Sequence, residues 1–379
     1  VYKRQVRHYA KPRVKLHNEG LGDYYTEGYR SLNQREWKGV RDTAYDFASW
    51  LKVYGYMAVT LGKHPVALTK SFVRYPWMAS YLTVANMLDR HKLGLRGKQL
   101  RYTQEQFYGV VHNSVDVIAK IIERDENLNS PNNKRAAKLR AKTVMFDEMT
   151  PSIIMAGFPM LDWIDIAMSP VCLPGEVDQN ANIMYVDAAE RMGLAADVCP
   201  LPSAEVGCAI VDDYPQVGSS FITSSMPCDG SLGAALFMDR YMKKLPSFTL
   251  TPPQRFNEPE TNAYAVKDLK NCIRFIEETY DVKWDWDAFW KKAEEYNKTT
   301  QCMLDKWDVN CTPYPQVIGS ALSLQREYEF QTAACLDSFM TKQDEKVTKM
   351  MLKGYEEDRE ADRSCLLYTS PSPRDSTSS

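Results

Sequence analysis

Ser219 to Leu250 reads SSFITSSMPCDGSLGAALFMDRYMKKLPSFTL. Its first run, Ser219 to Thr223, has the β-branched and aromatic composition of a strand. A loop of small residues, Ser224 to Gly230, follows. Ser231 to Tyr241 then spaces its apolar residues as a helix does, and Ser247 to Leu250 is the next short apolar run. Strand, helix and strand in that order make a parallel crossover, so the stretch points to an α/β fold with helices on the faces of a sheet.

Upstream the same alternation continues. Trp163 to Ala167 reads as a strand, and a loop through Pro170, Pro174 and Gly175 follows it. Ile183 to Met192 is helical in pattern and ends at Gly193, as a helix C-terminus would. Asp197 to Pro200 reads as the exit of a further short strand. A parallel-sheet domain of the flavodoxin or Rossmann-like kind is therefore expected over residues 144–256. Residues 1–143 read as a helical N-terminal extension. Its apolar spacing is Trp37–Val40–Ala44–Phe47–Leu51, with further helical stretches near Tyr81–Leu88 and Phe107–Ile122. Asn127 to Asn133 breaks the pattern, and Lys134 to Lys142 is a basic run read as a solvated helix face. Downstream, Thr251 to Glu260 is a Pro-rich linker. Residues 257–363 then read as a helical segment: Tyr264–Tyr280 with Val266, Leu269, Ile273 and Ile276 on one face, Trp284–Leu304, and one long charged helix, Gln325–Tyr355. There are no internal repeats.

Composition narrows the class. Hydrophobic residues make up 44% and charged residues 25% of 379, with a formal net charge of −2. That is ordinary for a water-soluble globular chain and offers no basic excess for nucleic acid. The most apolar early stretch, Phe47 to Leu61, is too short and too broken by Lys52 to span a bilayer, so no membrane role is expected. The charged start lacks the apolar core of a secretory signal. Nine cysteines in a chain of this size suggest a reducing, cytoplasmic setting. No C-x-x-C pair supports a zinc ribbon or a thioredoxin-like motif. The opening VYKRQ (Val1 to Gln5) and the closing SCLLYTSPSPRDSTSS (Ser364 to Ser379) resemble adaptor read-through at the ends of metagenomic fragments. Both are set aside as artefactual, Cys365 with them, and the chain is expected to be cut on its C-terminal side.

In open parallel sheets ligands gather beyond the carboxyl ends of the strands. Cys228 lies there, in SSMPCDG after the strand Ser219–Thr223, and Cys199 lies in AADVCPLP. The two are expected to project from neighbouring loops on one side of the sheet. Thiolates gathered in this way select iron–sulfur clusters or zinc. Cysteine is also among the most buried residue types, so spacing alone leaves plain core packing open.

The stretches AAERMGLAADVCPLPSAEVGCAI (Ala188 to Ile210) and YPQVGSSFITSSMPCDG (Tyr214 to Gly230) resemble the 2-hydroxyacyl-CoA dehydratase family, which includes 2-hydroxyglutaryl-CoA dehydratase and benzoyl-CoA reductase subunits. VKDLKNCIRFIEETYDVKWDWDAF (Val266 to Phe289) and Pro313-Tyr314-Pro315 follow in the order the family has them. The resemblance covers roughly Phe146 to Arg363 and rests on order and context rather than one rigid motif.

The resemblance implies that Cys199 and Cys228 are two of three cysteines holding a [4Fe–4S] cluster. The third belongs to a second α/β domain, expected to be largely missing by truncation. It further implies a subunit of a heterodimer that removes water from an (R)-2-hydroxyacyl-CoA. An ATP-dependent activator iron–sulfur protein would supply one electron, and the reaction would pass through a ketyl radical. A benzoyl-CoA-type reductase subunit and a non-catalytic cluster-bearing scaffold subunit are the other readings. FMN has no support in the sequence, and no G-x-G-x-x-G or P-loop is present. The family's hydroxyl- or Cys-containing loop falls at Phe146 to Ser152 (FDEMTPS), where Thr150 and Ser152 match it poorly. Cys172 and Cys208 are weaker ligand candidates, and Cys208 is expected to be a packed helix position. Cys302, Cys311 and Cys335 are expected fillers. No residue stands out as a general base. Glu176, Asp197 and Glu205 qualify by location only, each expected at a solvated surface.

Overall fold

The computed structural model describes residues 40–74, 97–147, 150–166, 182–225, 230–233, 245–253, 258–317 and 321–361. In chain order these form α1 (Val40–Leu61), α2 (Pro65–Arg74), α3 (Gly97–Arg124), α4 (Lys134–Arg140), β1 (Thr143–Phe146), β2 (Asp162–Asp165), α5 (Ile183–Arg191) and α6 (Pro200–Ile210). They continue with β3 (Ser220–Ser224), β4 (Ser247–Leu250), α7 (Pro259–Tyr280), α8 (Trp286–Asn310), α9 (Ala321–Cys335) and α10 (Ser338–Glu360). Among the described residues no helix is long and apolar enough to cross a membrane.

The strands make one sheet in the order β2-β1-β3-β4, and every neighbouring pair is parallel. Phe146 stands opposite Asp165 on one side and Ile222 on the other, and Ser224 opposite Leu250. Successive side chains face opposite ways, so the pleat feeds two cores. Met145, Ile164 and Phe221 pack with Ile121, Tyr185, Ala204 and Cys208. Val144, Phe146, Ile222 and Leu250 pack with Ile154, Phe158, Cys272 and Ile276. A sheet covered on both faces is what parallel pairing requires, and it explains why these strands read as short continuous apolar runs. The fold is the expected α/β parallel-sheet class.

The helices depart from the sequence reading at identifiable points. α7 begins at Pro259 because proline fits the first helical position, where no N–H is needed. Its buried face is centred on Cys272 and Ile276, while Val266 is 51% exposed. α1 forms, yet Val40, Phe47 and Leu51 are all at least half exposed. The single helix expected over Gln325–Tyr355 is two, α9 and α10. Leu336 adopts a left-handed φ of 50°, and the Asp337 carboxylate accepts from the Phe339 N–H at 2.9 Å, which starts a new helix. Residues 230–233 are helical; the rest of the helix expected to Tyr241, the stretch Tyr81–Leu88, and Ala167 lie outside the described residues.

By compactness the chain divides into two units. Among the described residues one comprises 60–74 and 114–290, and the other 40–59, 97–113 and 291–361. The first holds the sheet. The second is helical among its described residues, with apolar clusters around Tyr102, Val317, Val347 and Met351 and around Val110, Tyr328 and Met340. It also buries an ion group. Lys306 pairs with Asp344 and, at 3.4 Å, with Glu329, to which the Gln325 amide donates at 2.9 Å.

Candidate functional site

The strand order β2-β1-β3-β4 places a topological switch point between β1 and β3, because the chain leaves these two neighbours toward opposite edges. The loop after β1 is strapped to β3. The Asp147 N–H and the Thr150 hydroxyl both donate to the Ile222 carbonyl, each at 3.1 Å. Thr150 and Ser152 are buried. The Thr150 proton is thus committed to Ile222, leaving only lone pairs to offer a ligand. Beyond β3 the Ser225 N–H donates to the Leu250 carbonyl at 2.8 Å, so the pairing with β4 continues one residue past the strand. Cys228 itself, Cys172, Glu176, Glu148 and Cys365 lie outside the described residues.

Cys199 is not at the exit of a strand. It is the residue just before α6, with φ −47° and ψ 132°, and Pro200 occupies the first helical position. Proline there is a helix-start signal, and the apolar run behind it is helical rather than extended. The Ser203 hydroxyl donates to the Cys199 carbonyl at 2.9 Å, whereas the Cys199 side chain makes no capping bond and is exposed. Between β2 and β3 the chain returns from the carboxyl edge of the sheet to its amino edge. α6 is the last helix of that return, and Cys199 stands at its start. The start of a helix carries positive potential, which suits a negatively charged ligand group.

α6 is held by α5. After α5 the chain turns through Gly193 at φ 103°. The Gly193 N–H donates to Glu190 at 3.0 Å and the Leu194 N–H to Ala189 at 3.1 Å, the paired bonds of a Schellman turn. Leu194 then packs with Ala189, Val206 and Ile210. Cys208 is fully buried in α6, the packed helix position expected of it. Burial, reinforced by Asp213 and Glu205, pushes its thiol well above the usual range, which suits a filler and opposes a reactive thiolate.

Three acids are buried at this end of the sheet, of which the sequence reading names only Glu205. Asp147 and Asp165 stand at the exits of β1 and β2, and both are buried. Glu205 is 3% exposed, not at a solvated surface, because α6 is buried nearly all round. Asp197 is exposed. Burial first, then Glu205, Cys208, Asp147 and Asp165, hold the Tyr214 phenol well above its usual range. The Tyr214 hydroxyl makes no hydrogen bond among the described residues. A carboxylate closing two consecutive apolar runs, in VMFD and WID, was the signal available in the sequence.

The remaining described cysteines lie elsewhere. Cys272 is buried in α7, and Cys302 and Cys335 are half-buried on α8 and α9; Cys311, expected as a filler, is instead exposed directly after α8. Comparison with curated proteins gave no match. Residues 177–362 match the family described as 2-hydroxyglutaryl-CoA dehydratase, D-component. That span contains Cys199, α6, β3 and Cys228. Through residues 177–362 the chain belongs to the 2-hydroxyglutaryl-CoA dehydratase D-component family.

Proposed function

We propose that this chain is a subunit of a dehydratase that removes water from an (R)-2-hydroxyacyl-CoA, with Cys199 and Cys228 as two ligands of a [4Fe–4S] cluster. The observation that carries the reading is the family match, whose span includes both cysteines. The donor set fits the group. Cys199 offers an exposed soft thiol at the positive end of a buried helix, and Cys228 comes four residues after β3 in the sequence, the strand that borders the switch point. When bound, such a cluster supplies the single electron that lets an unactivated 2-hydroxyl depart from a thioester.

The chain's own residues hold and shape the site. α6, wedged against α5, fixes the Cys199 backbone. The bonds of Asp147 and Thr150 to Ile222 tie the β1 loop to β3. Burial first, and then Glu205, Asp147 and Asp165 among its neighbours, favour proton retention over ionisation at the Tyr214 phenol. The working assembly is a cytoplasmic heterodimer served by an ATP-dependent activator protein.

The test is a turnover assay of the chain co-purified anaerobically with its partner component and the activator. The proposal predicts loss of water from a 2-hydroxyacyl-CoA, and Cys228→Ala should reduce turnover at least a hundredfold. Unchanged turnover in Cys228→Ala would assign the chemistry to the partner. Reduction of an aromatic acyl-CoA in place of dehydration would assign a reductase.

A further inference from the structure

A cleft lies in the sheet-bearing unit, among residues of α2, the end of α3 and α4. Its volume is about 450 Å³. That falls within the roughly 300–1,000 Å³ of small-molecule sites. The floor includes Ile122, Leu128 and Ala136, all buried. The rim carries Lys63, Lys70 and Arg135. Lys63 and Lys70 form no ion pair among the described residues, and Arg135 meets Glu123 at 3.4 Å. Glu123 is the acid in the lining. Its charge is already met by Arg135, by Arg124 at 3.4 Å, and by His64 at 3.5 Å when that ring is protonated. The cleft therefore keeps a positive surplus. The first turn of α2, which begins at Pro65 and carries no acidic residue, opens on the same space. A helix start adds positive potential and backbone N–H groups to the lysines.

An apolar floor beneath a cationic rim matches a ligand with one flat apolar part and one phosphorylated part. We propose that this cleft binds a phosphorylated nucleoside, with the base over Ile122 and Leu128 and the phosphates between Lys70, Lys63 and Arg135. Two sources share that chemistry: a free adenine nucleotide, and the nucleotide end of a coenzyme A thioester. The side chains of both lysines and of Arg135 are exposed, so changing them leaves the core untouched. The inference stands apart from the dehydratase reading, because the binding it describes uses neither Cys199 nor Cys228.

The experiment is calorimetric titration of the full chain with ADP, with coenzyme A, and with inorganic pyrophosphate. Wild type and the double variant Lys70→Glu/Arg135→Glu are compared, and circular dichroism verifies the fold of both. The expected result is saturable, salt-sensitive binding of a nucleotide ligand that weakens at least tenfold in the variant, with pyrophosphate at least tenfold weaker than the nucleotide. Tighter binding of coenzyme A than ADP assigns the carrier, and the reverse assigns the free nucleotide. Three outcomes would overturn the proposal: no binding of either nucleotide, equal binding by the variant, or pyrophosphate binding as tightly as the nucleotides. The readout needs no cluster and no turnover, so failure of the dehydratase reading leaves it intact.

Discussion

A side-chain carbon on Gly207 would fall on the backbone carbonyl of Tyr185, because α5 and α6 approach there backbone to backbone. This contact sets how α6, and with it Cys199, is carried on the sheet. Gly207→Ala forces main chain to move, where overpacking ordinarily costs about 1–3 kcal/mol. The expected loss is about 3 kcal/mol, read as a lower denaturation midpoint in urea. A midpoint unchanged from wild type would mean that the two helices are not held this closely.

The buried ion group of the helical unit gives a second expectation. Lys306 is fully buried between Asp344 and Glu329. Removing one member of such a group leaves an uncompensated charge, at a cost of about 3–5 kcal/mol. Lys306→Met is expected to lose that much. Lys306→Met with Asp344→Leu and Glu329→Gln should recover most of it, because no buried charge is then left over. Chemical denaturation of the three proteins checks this.

The same group predicts a pH dependence. Burial holds the Asp344 carboxyl above its ordinary 3.8, although Lys306 opposes the shift. A carboxyl raised in the folded state favours folding when protonated. Its contribution is complete below 3.8 and is lost as pH rises through the folded value. Asp344→Asn, which cannot ionise, should show a flatter decline in stability above pH 4 than wild type. Identical pH profiles would remove Asp344 as the titrating group.

Cysteine accessibility separates packed thiols from exposed ones. Cys199 and Cys311 are exposed; Cys208 and Cys272 are buried, and burial pushes the Cys272 thiol up to about 12. Brief alkylation of the native apo-protein, followed by peptide mass spectrometry, should label Cys199 and Cys311 and spare Cys208 and Cys272. Early labelling of Cys208 would contradict the packing of α6.

Much of this was legible in the sequence, for physical reasons that also mark its limits. Ser247–Leu250 is a strand with the bounds its composition implies, and the helix ending at Gly193 closes on the Schellman turn that glycine permits. Cys208 packs as its helical position implied. The misreadings share a cause. Asp197–Pro200 and Gln325–Tyr355 were judged by the character of their side chains, whereas the backbone at Pro200 and Leu336 decided the local structure. Acids usually face water, which is the expectation for Glu205, but a helix buried nearly all round leaves it no solvated face. Pairing of sheet-edge acids such as Asp147 and Asp165 depends on strand order, which no single sequence states.

The central claim, that Cys199 and Cys228 ligate an iron–sulfur cluster, is tested most directly by iron content and EPR of the anaerobically purified full chain with its partner component. Wild type is compared with Cys199→Ser and Cys228→Ser. The account predicts a reduced-cluster EPR signal and bound iron in wild type, and at least a tenfold loss of both in each variant, with circular dichroism unchanged. Iron near zero in wild type, or an undiminished signal in both variants, would contradict it.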